Sequence, residues 1–361
     1  MWETKARLLE VIVCRNRKVS NGAMNSHLRI LSVDGGGIRG YLPALILAEI
    51  ERRAGRPAVE LFDLVVGTST GGIIAIGLAA GVPVQDLAEF YPRYGRRIFG
   101  GSEQPEWSKR LFGTGATWSE RLMGPANTIG APFGRDDRWG GNARHRAAGL
   151  EGVLEEVLGD TMLSQARLPL LVTSYEAQMG LPVVFSSEEA QHDPARFDLP
   201  LRSVARATSA APTFFAPAMM TWAGGPRQFV DGGVWANNPA ALAITESIRL
   251  AASQRWTGTS VFLVSLGTGM AASTPAFAGE GSWLAAFSDL AKIATSITGS
   301  DILATRALGD SYARLQVIDD RIAGAMDDPS PSRLEALQQA AQSLIQSESG
   351  EIDRIVANIK I

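Results

Sequence analysis

The first sustained apolar stretch, residues 28–33, reads as a buried strand, and it breaks abruptly into the turn Asp34-Gly35-Gly36-Gly37-Ile38-Arg39-Gly40. Beyond that turn Leu42, Leu45, Ile46 and Ile50 recur at helical spacing, so a helix is expected over 41–54. A second apolar run at 61–66 leads into Gly67-Thr68-Ser69-Thr70-Gly71 and then into small apolar residues through 72–80. Strand, helix, strand, helix at these spacings predicts a right-handed βαβ unit in a mostly parallel sheet. Both glycine-rich turns then fall at the carboxyl ends of strands, on one edge of that sheet.

The same pattern continues almost to the end of the chain. Further strands are expected at 168–174, 182–186, 228–230 and 261–265, and helices at 150–158, 238–253 and 334–345. It lapses between 100 and 149, where Pro105, Pro125, Pro132, Trp107, Trp118 and Trp139 stand among glycines; a loop this long reads as a lid, a binding insertion or a partly disordered segment. The expected organisation is an α/β domain over 24–320 interrupted by that insertion. A helical segment at 321–361 is expected to pack on it, and residues 1–23 to form an upstream extension outside the fold.

With 361 residues, 45% hydrophobic and 20% charged, the chain has enough apolar material for one large core. A formal charge of -3 gives no general attraction to a nucleic-acid polymer, so anionic ligands would need a local basic patch. The lone Cys14 excludes an intrachain disulfide, and no secretory pattern is seen near the start, which fits a cytoplasmic protein. Residues 64–85 carry no charge and are long enough to span a bilayer. Five glycines and Pro83 interrupt them, however, and a strand, a turn and a buried helix explain the stretch better.

Gly67-Thr68-Ser69-Thr70-Gly71 has the form of a nucleophile elbow, a sharp strand-to-helix turn that projects a serine hydroxyl from the sheet edge. An ordinary hydrolase of this type places an acid and then a histidine after the serine. Here the histidines are His27, His145 and His192, and none follows the acids of the C-terminal half. His192 lies in a polar string that reads as a solvated loop. The base must be another group, and Asp231, in Phe229-Val230-Asp231-Gly232-Gly233, sits at a strand end where glycines let another backbone approach. Taken by itself, that Asp-Gly pair reads equally as a turn cap.

The Asp34 to Gly40 turn supplies consecutive backbone N–H groups at a helix start, suited to an oxyanion, and Arg39 is a candidate contact for a substrate phosphate. A dinucleotide site is the competing interpretation, but the glycine spacing departs from G-x-G-x-x-G.

Taken together and in order, Asp34-Gly35-Gly36-Gly37-Ile38-Arg39-Gly40, Gly67-Thr68-Ser69-Thr70-Gly71 and Asp231-Gly232-Gly233 resemble the patatin-like phospholipases. The likeness extends through Val204 to Phe215, Asn237-Asn238-Pro239 and Ser265-Leu266-Gly267-Thr268-Gly269. It implies a three-layer α/β sandwich and a lipid acyl hydrolase with a Ser-Asp dyad. Ser69 is then the nucleophile and Asp231 the base, with Gly35, Gly36 and Gly37 lining the oxyanion hole; no metal or cofactor is implied. Asn237 and Asn238 read as packing and capping residues, and Arg206 and Thr208 as supports of the fold.

The expected substrate is a membrane glycerophospholipid, met by peripheral contact at the inner membrane. A soluble carboxylesterase and a non-catalytic lipid-binding scaffold are the alternatives, and a homo-oligomer is left open. Some bacterial relatives are anti-phage effectors switched on by a cyclic dinucleotide. The long insertion and its basic cluster, Arg135, Arg138, Arg144, His145 and Arg146, make such an activator, or a lipid headgroup, a candidate ligand; a solvated loop is the plainer reading.

Overall fold

The computed structural model describes residues 27–100, 143–252, 260–272 and 299–360. The extension at 1–23 and most of the 100–149 insertion, with Arg135, Arg138 and the three tryptophans, lie outside the described residues.

Eight strands form one sheet: β1 (His27–Val33), β2 (Leu64–Thr68), β3 (Leu170–Glu176), β4 (Leu181–Ser186), β5 (Ala218–Trp222), β6 (Gly225–Asp231), β7 (Ser260–Leu266) and β8 (Tyr312–Leu315). Their order is β5-β6-β3-β2-β1-β7-β8, with β4 also paired to β3. The β3-β2-β1-β7-β8 portion is parallel, whereas β4, β5 and β6 join antiparallel. Among the described residues, helices of eight or more residues are α1 (Tyr41–Ala54), α2 (Thr70–Ala80), α3 (Val84–Phe99), α4 (Ala147–Leu158), α5 (Leu201–Thr208), α6 (Ala240–Ala252), α7 (Gly299–Leu308), α8 (Pro331–Ser347) and α9 (Ser349–Ile359).

Alternation along the central strands explains the three layers. On β1, Leu31 and Val33 face a core shared with Leu42 and Ile46 of α1, Ile74 of α2, Leu87 of α3 and Leu337 of α8, whereas Leu28 and Ile30 face Ala240 and Ala243 of α6 and Ala304 of α7. β2 splits the same way, with Val65 on the first face and Leu64 and Val66 on the second. Strands buried on both faces are apolar at successive positions, which is why the sequence shows short continuous runs there.

The C-terminal helices belong to the first layer. Ser330 caps α8 by accepting from the Arg333 amide, Pro331 occupies its first turn, and Ile352, Ile355 and Ile359 give α9 one buried face. Arg29 ties α9 to the sheet, donating to the Ile359 carbonyl at 3.0 Å while its guanidinium pairs with Asp63.

The expected helix at 41–54 is observed at those bounds, and the strand expected at 61–66 begins three residues late because Ala58–Leu61 forms a helical turn. The strands β5 and β8 and the helices α3, α5 and α7 lie outside the elements expected from the sequence. β8 reads Tyr-Ala-Arg-Leu, and its central arginine hides the apolar run.

Candidate active site

One edge of β3 is taken by β4 from Leu171 to Glu176, so β2 and β6 share the other edge. β2 runs parallel to β3 and ends with Thr68 opposite Thr173; β6 runs the other way and ends with Asp231 opposite Ser174. The carboxyl ends of two strands therefore meet head to head. Thr68 Oγ1 also binds the Ala236 carbonyl at 2.6 Å, and Trp235 donates from its indole to the Ser174 carbonyl at 2.8 Å, so the turn after Asp231 is pinned to β2 and β3.

Ser69 follows directly on Thr68 and adopts φ 55, ψ -123, a conformation costing a non-glycine residue about 1–3 kcal/mol. The surrounding bonds hold it there. Its amide donates to Thr208 Oγ1 at 2.8 Å, and its carbonyl accepts from Ile73 in the first turn of α2 at 3.0 Å. Close packing of that turn against β1 requires glycine at 71, where a Cβ would stand 2.3 Å from the Val33 carbonyl.

Ser69 Oγ donates to Asp231 Oδ2 at 2.5 Å, and Asp231 Oδ1 accepts from the Gly233 amide at 2.7 Å. Burial pushes the Asp231 carboxyl up to about 7, against the lowering effect of those two bonds. A hydroxyl bonded to a carboxylate of that basicity has a proton acceptor working near neutral pH. The serine also stands at the N-terminus of α2, where the helix dipole favours negative charge.

The glycine turn lies against this pair: a Cβ at Gly35 would be 3.1 Å from Ser69 Cβ. Its three amides are not equivalent. Gly35 donates to the Asn237 carbonyl at 3.0 Å, so that amide is committed to structure and differs from the oxyanion role expected of it. The amides of Gly36 and Gly37 have no acceptor among the described residues. Thr268 Oγ1 donates to the Gly35 carbonyl at 2.6 Å, fixing the turn from the β7 side.

Beneath the turn, Asp34 and Arg314 form a bidentate ion pair at 3.0 and 2.6 Å. Burial opposes the Arg314 charge, but Asp34 and Asp301 outweigh it and raise its pKa above the ordinary value. Asp301 accepts in turn from Asn238 and from the Tyr312 hydroxyl, each at 2.7 Å. One buried network thus joins the start of the glycine turn to the segment behind Asp231. Sequence reasoning missed Arg314, since nothing local links it to a residue 280 positions away. Asn238 does cap α6, accepting from the Ala240 amide at 2.9 Å.

Two candidates sit otherwise than expected. Arg39 is buried, with its guanidinium on the Gly269 carbonyl at 3.3 Å and Met326 Sδ at 3.0 Å, so it braces the turn and does not face a phosphate site. Burial, reinforced by Arg333, presses its pKa down to about 10. In the basic cluster, His145 is buried among Phe99, Phe214 and Phe215 and bonded to Asp327 at 2.9 Å, and is not presented to an activator. Arg144 lies over Phe214 and pairs with the same carboxylate at 3.0 Å. Arg146 is exposed at the start of α4. Among the described residues no cluster of three or more His, Cys, Asp or Glu is gathered for a metal ion, and no helix is long and apolar enough to cross a membrane.

A family model described as Patatin-like phospholipase matches residues 31–244, a span that holds the glycine turn, Ser69 and Asp231. The chain belongs to the patatin-like phospholipase family. A protein named cGAMP-activated phospholipase from Pseudomonas aeruginosa is 30% identical over 299 residues, covering 81% of this chain and 78% of that protein. Patatin-17 of Solanum cardiophyllum is 27% identical, covering 97% of this chain and 92% of its own length. Patatin-like protein 2 of Arabidopsis thaliana is 33% identical over 60% of this chain, which spans about half (52%) of that protein. These relatives support a lipid acyl hydrolase.

Proposed function

We propose that the chain cleaves fatty acyl esters of membrane glycerophospholipids with Ser69 as nucleophile and Asp231 as general base. The observation that carries this reading is the 2.5 Å bond from Ser69 Oγ to a buried carboxylate whose pKa lies at about 7. Ser69 Oγ attacks the ester carbonyl carbon and its proton passes to Asp231. The tetrahedral oxyanion is stabilised by the Gly36 and Gly37 amides and the positive end of α2. Collapse breaks the bond to the glycerol oxygen, which leaves with the proton held by Asp231, and an acyl-Ser69 ester remains. Water, deprotonated by Asp231, then releases the fatty acid and restores the hydroxyl.

The likeness to a cGAMP-activated phospholipase over most of the chain supports a second part of the proposal, activation by a cyclic dinucleotide in antiviral defence. With His145 and Arg144 committed to Asp327, Arg146 is the described member of the basic cluster that stands free in solvent to meet such a ligand.

The test is fatty-acid release from mixed phospholipid vesicles, with short-chain esters assayed in parallel, each with and without a panel of cyclic dinucleotides. Release that depends on Ser69 and rises with one cyclic dinucleotide supports both parts. Hydrolysis confined to short esters contradicts the lipid substrate, and release indifferent to the whole panel contradicts the activation.

A further inference from the structure

Resting on that reading of the site, we infer that Asp327 is a positioning residue for the oxyanion turn, holding the loop whose Met326 carbonyl fixes the Ile38 amide. The Met326 carbonyl accepts from Ile38 N at 2.8 Å. It is packed flush against the turn: Gly37 has φ +59, and a Cβ there would lie 2.3 Å from that same oxygen. Met326 Sδ receives Arg39 as well. The two free amides of the turn, Gly36 and Gly37, thus sit directly before a residue whose own amide is held by Met326.

Asp327 is the next residue along. Its Oδ2 accepts from His145 Nε2 at 2.9 Å and from Arg144 Nη1 at 3.0 Å. Those donors are themselves fixed, for the amides of Arg144 and His145 bond to the carbonyls of Thr213 and Phe214 at 3.0 and 2.9 Å. The segment holding them follows α5, whose last residue Thr208 binds the Ser69 amide. Asp327 therefore clasps the wall that supports the elbow to the loop that supports the oxyanion donors. From the other side, Arg333 holds the same loop through the Ile322 and Ala323 carbonyls at 2.6 and 2.7 Å. Without the carboxylate the loop keeps Arg333 and the Met326 contacts with Ile38 and Arg39 but loses its tie to the segment beside α5.

Donors to a developing oxyanion must be held within about half an ångström, and a misplacement of about 1 Å from outside the site can cost on the order of a hundredfold in rate. A displacement confined to the oxyanion donors lowers turnover and leaves substrate affinity unchanged.

Steady-state hydrolysis of p-nitrophenyl butyrate by the full chain tests this, with Ser69→Ala as the blank and the cyclic dinucleotide panel included. Asp327→Ala is expected to lower kcat about tenfold or more with KM within a factor of about two, and Asp327→Asn, which keeps an oxygen acceptor, to recover most of the loss. Arg144→Ala, a change at a half-exposed side chain, gives an intermediate kcat and serves if Asp327→Ala does not fold. An unchanged kcat in Asp327→Ala and Arg144→Ala, a KM that rises in step with the fall in kcat, or an asparagine variant no better than alanine overturns the role of Asp327. Those outcomes leave the dyad standing; wild-type turnover no greater than the Ser69→Ala blank overturns both.

Discussion

Ser69 and Asp231 are 162 residues apart in the chain and joined by a 2.5 Å hydrogen bond, because β2 and β6 stop against each other on one edge of β3. The meeting is set by backbone register, with Thr68 opposite Thr173 and Asp231 opposite Ser174. A small displacement of either strand would separate the pair.

On the proposed mechanism, the basicity of Asp231 fixes the pH dependence of turnover. The carboxylate must be ionised to accept the Ser69 proton, and its pKa is about 7, so kcat/KM should rise through neutral pH and level off about one unit above. A profile already flat at pH 5 would contradict this. Stopped-time ester assays from pH 5 to 9 measure it.

The same shift has the opposite sign for stability. Unfolded, Asp231 titrates near 4; folded, it keeps its proton up to about 7. Its contribution is fully present below the unfolded pKa and is lost as pH rises through the folded one, by an amount on the order of a few kcal/mol. Asp231→Asn abolishes that loss. The variant should therefore melt higher than wild type at pH 8 and close to it at pH 4, as scanning calorimetry at the two pH values would reveal.

Thr208→Val keeps the side-chain shape and removes the acceptor of the Ser69 amide. A buried N–H left unpaired costs about 1–3 kcal/mol, and here it also frees a strained residue to relax. We expect a lower Tm together with a fall in kcat of about tenfold, read from thermal melts and steady-state kinetics on one preparation.

Arg314→Met leaves Asp34 buried without its partner, which should destabilise the fold by about 3–5 kcal/mol in urea titration. Combining it with Asp34→Asn removes the orphaned charge and should restore a good part of the loss. A double variant as unstable as the single one would argue that Arg314 acts through Asp301 instead.

The chemistry of the site was more legible in the sequence than its scaffolding. The glycines around Ser69 give the form of an elbow that gains its meaning from the other motifs, and the absence of a histidine after the C-terminal acids leaves Asp231 as the candidate base. Their contact could not be read, because it depends on which strands share an edge of β3. Gly35 looked equivalent to Gly36 and Gly37 until the Asn237 carbonyl claimed its amide. Arg39 in the glycine turn and His145 in a basic cluster carry charges and positions suited to a ligand, but burial against Met326 and Phe214 gives them structural roles. Arg314 and Asp327 carry no local signal, since their partners lie 280 and 182 positions away.

The most direct measurement is peptide mass mapping after exposure to a long-chain alkyl fluorophosphonate, in which a nucleophilic hydroxyl attacks phosphorus, forms an O–P bond and expels fluoride. One adduct is expected on Ser69 in the wild-type chain, none in Ser69→Ala, and labelling slowed about a hundredfold or more in Asp231→Asn. An adduct on another residue, or undiminished labelling of Asp231→Asn, would contradict the Ser69–Asp231 dyad.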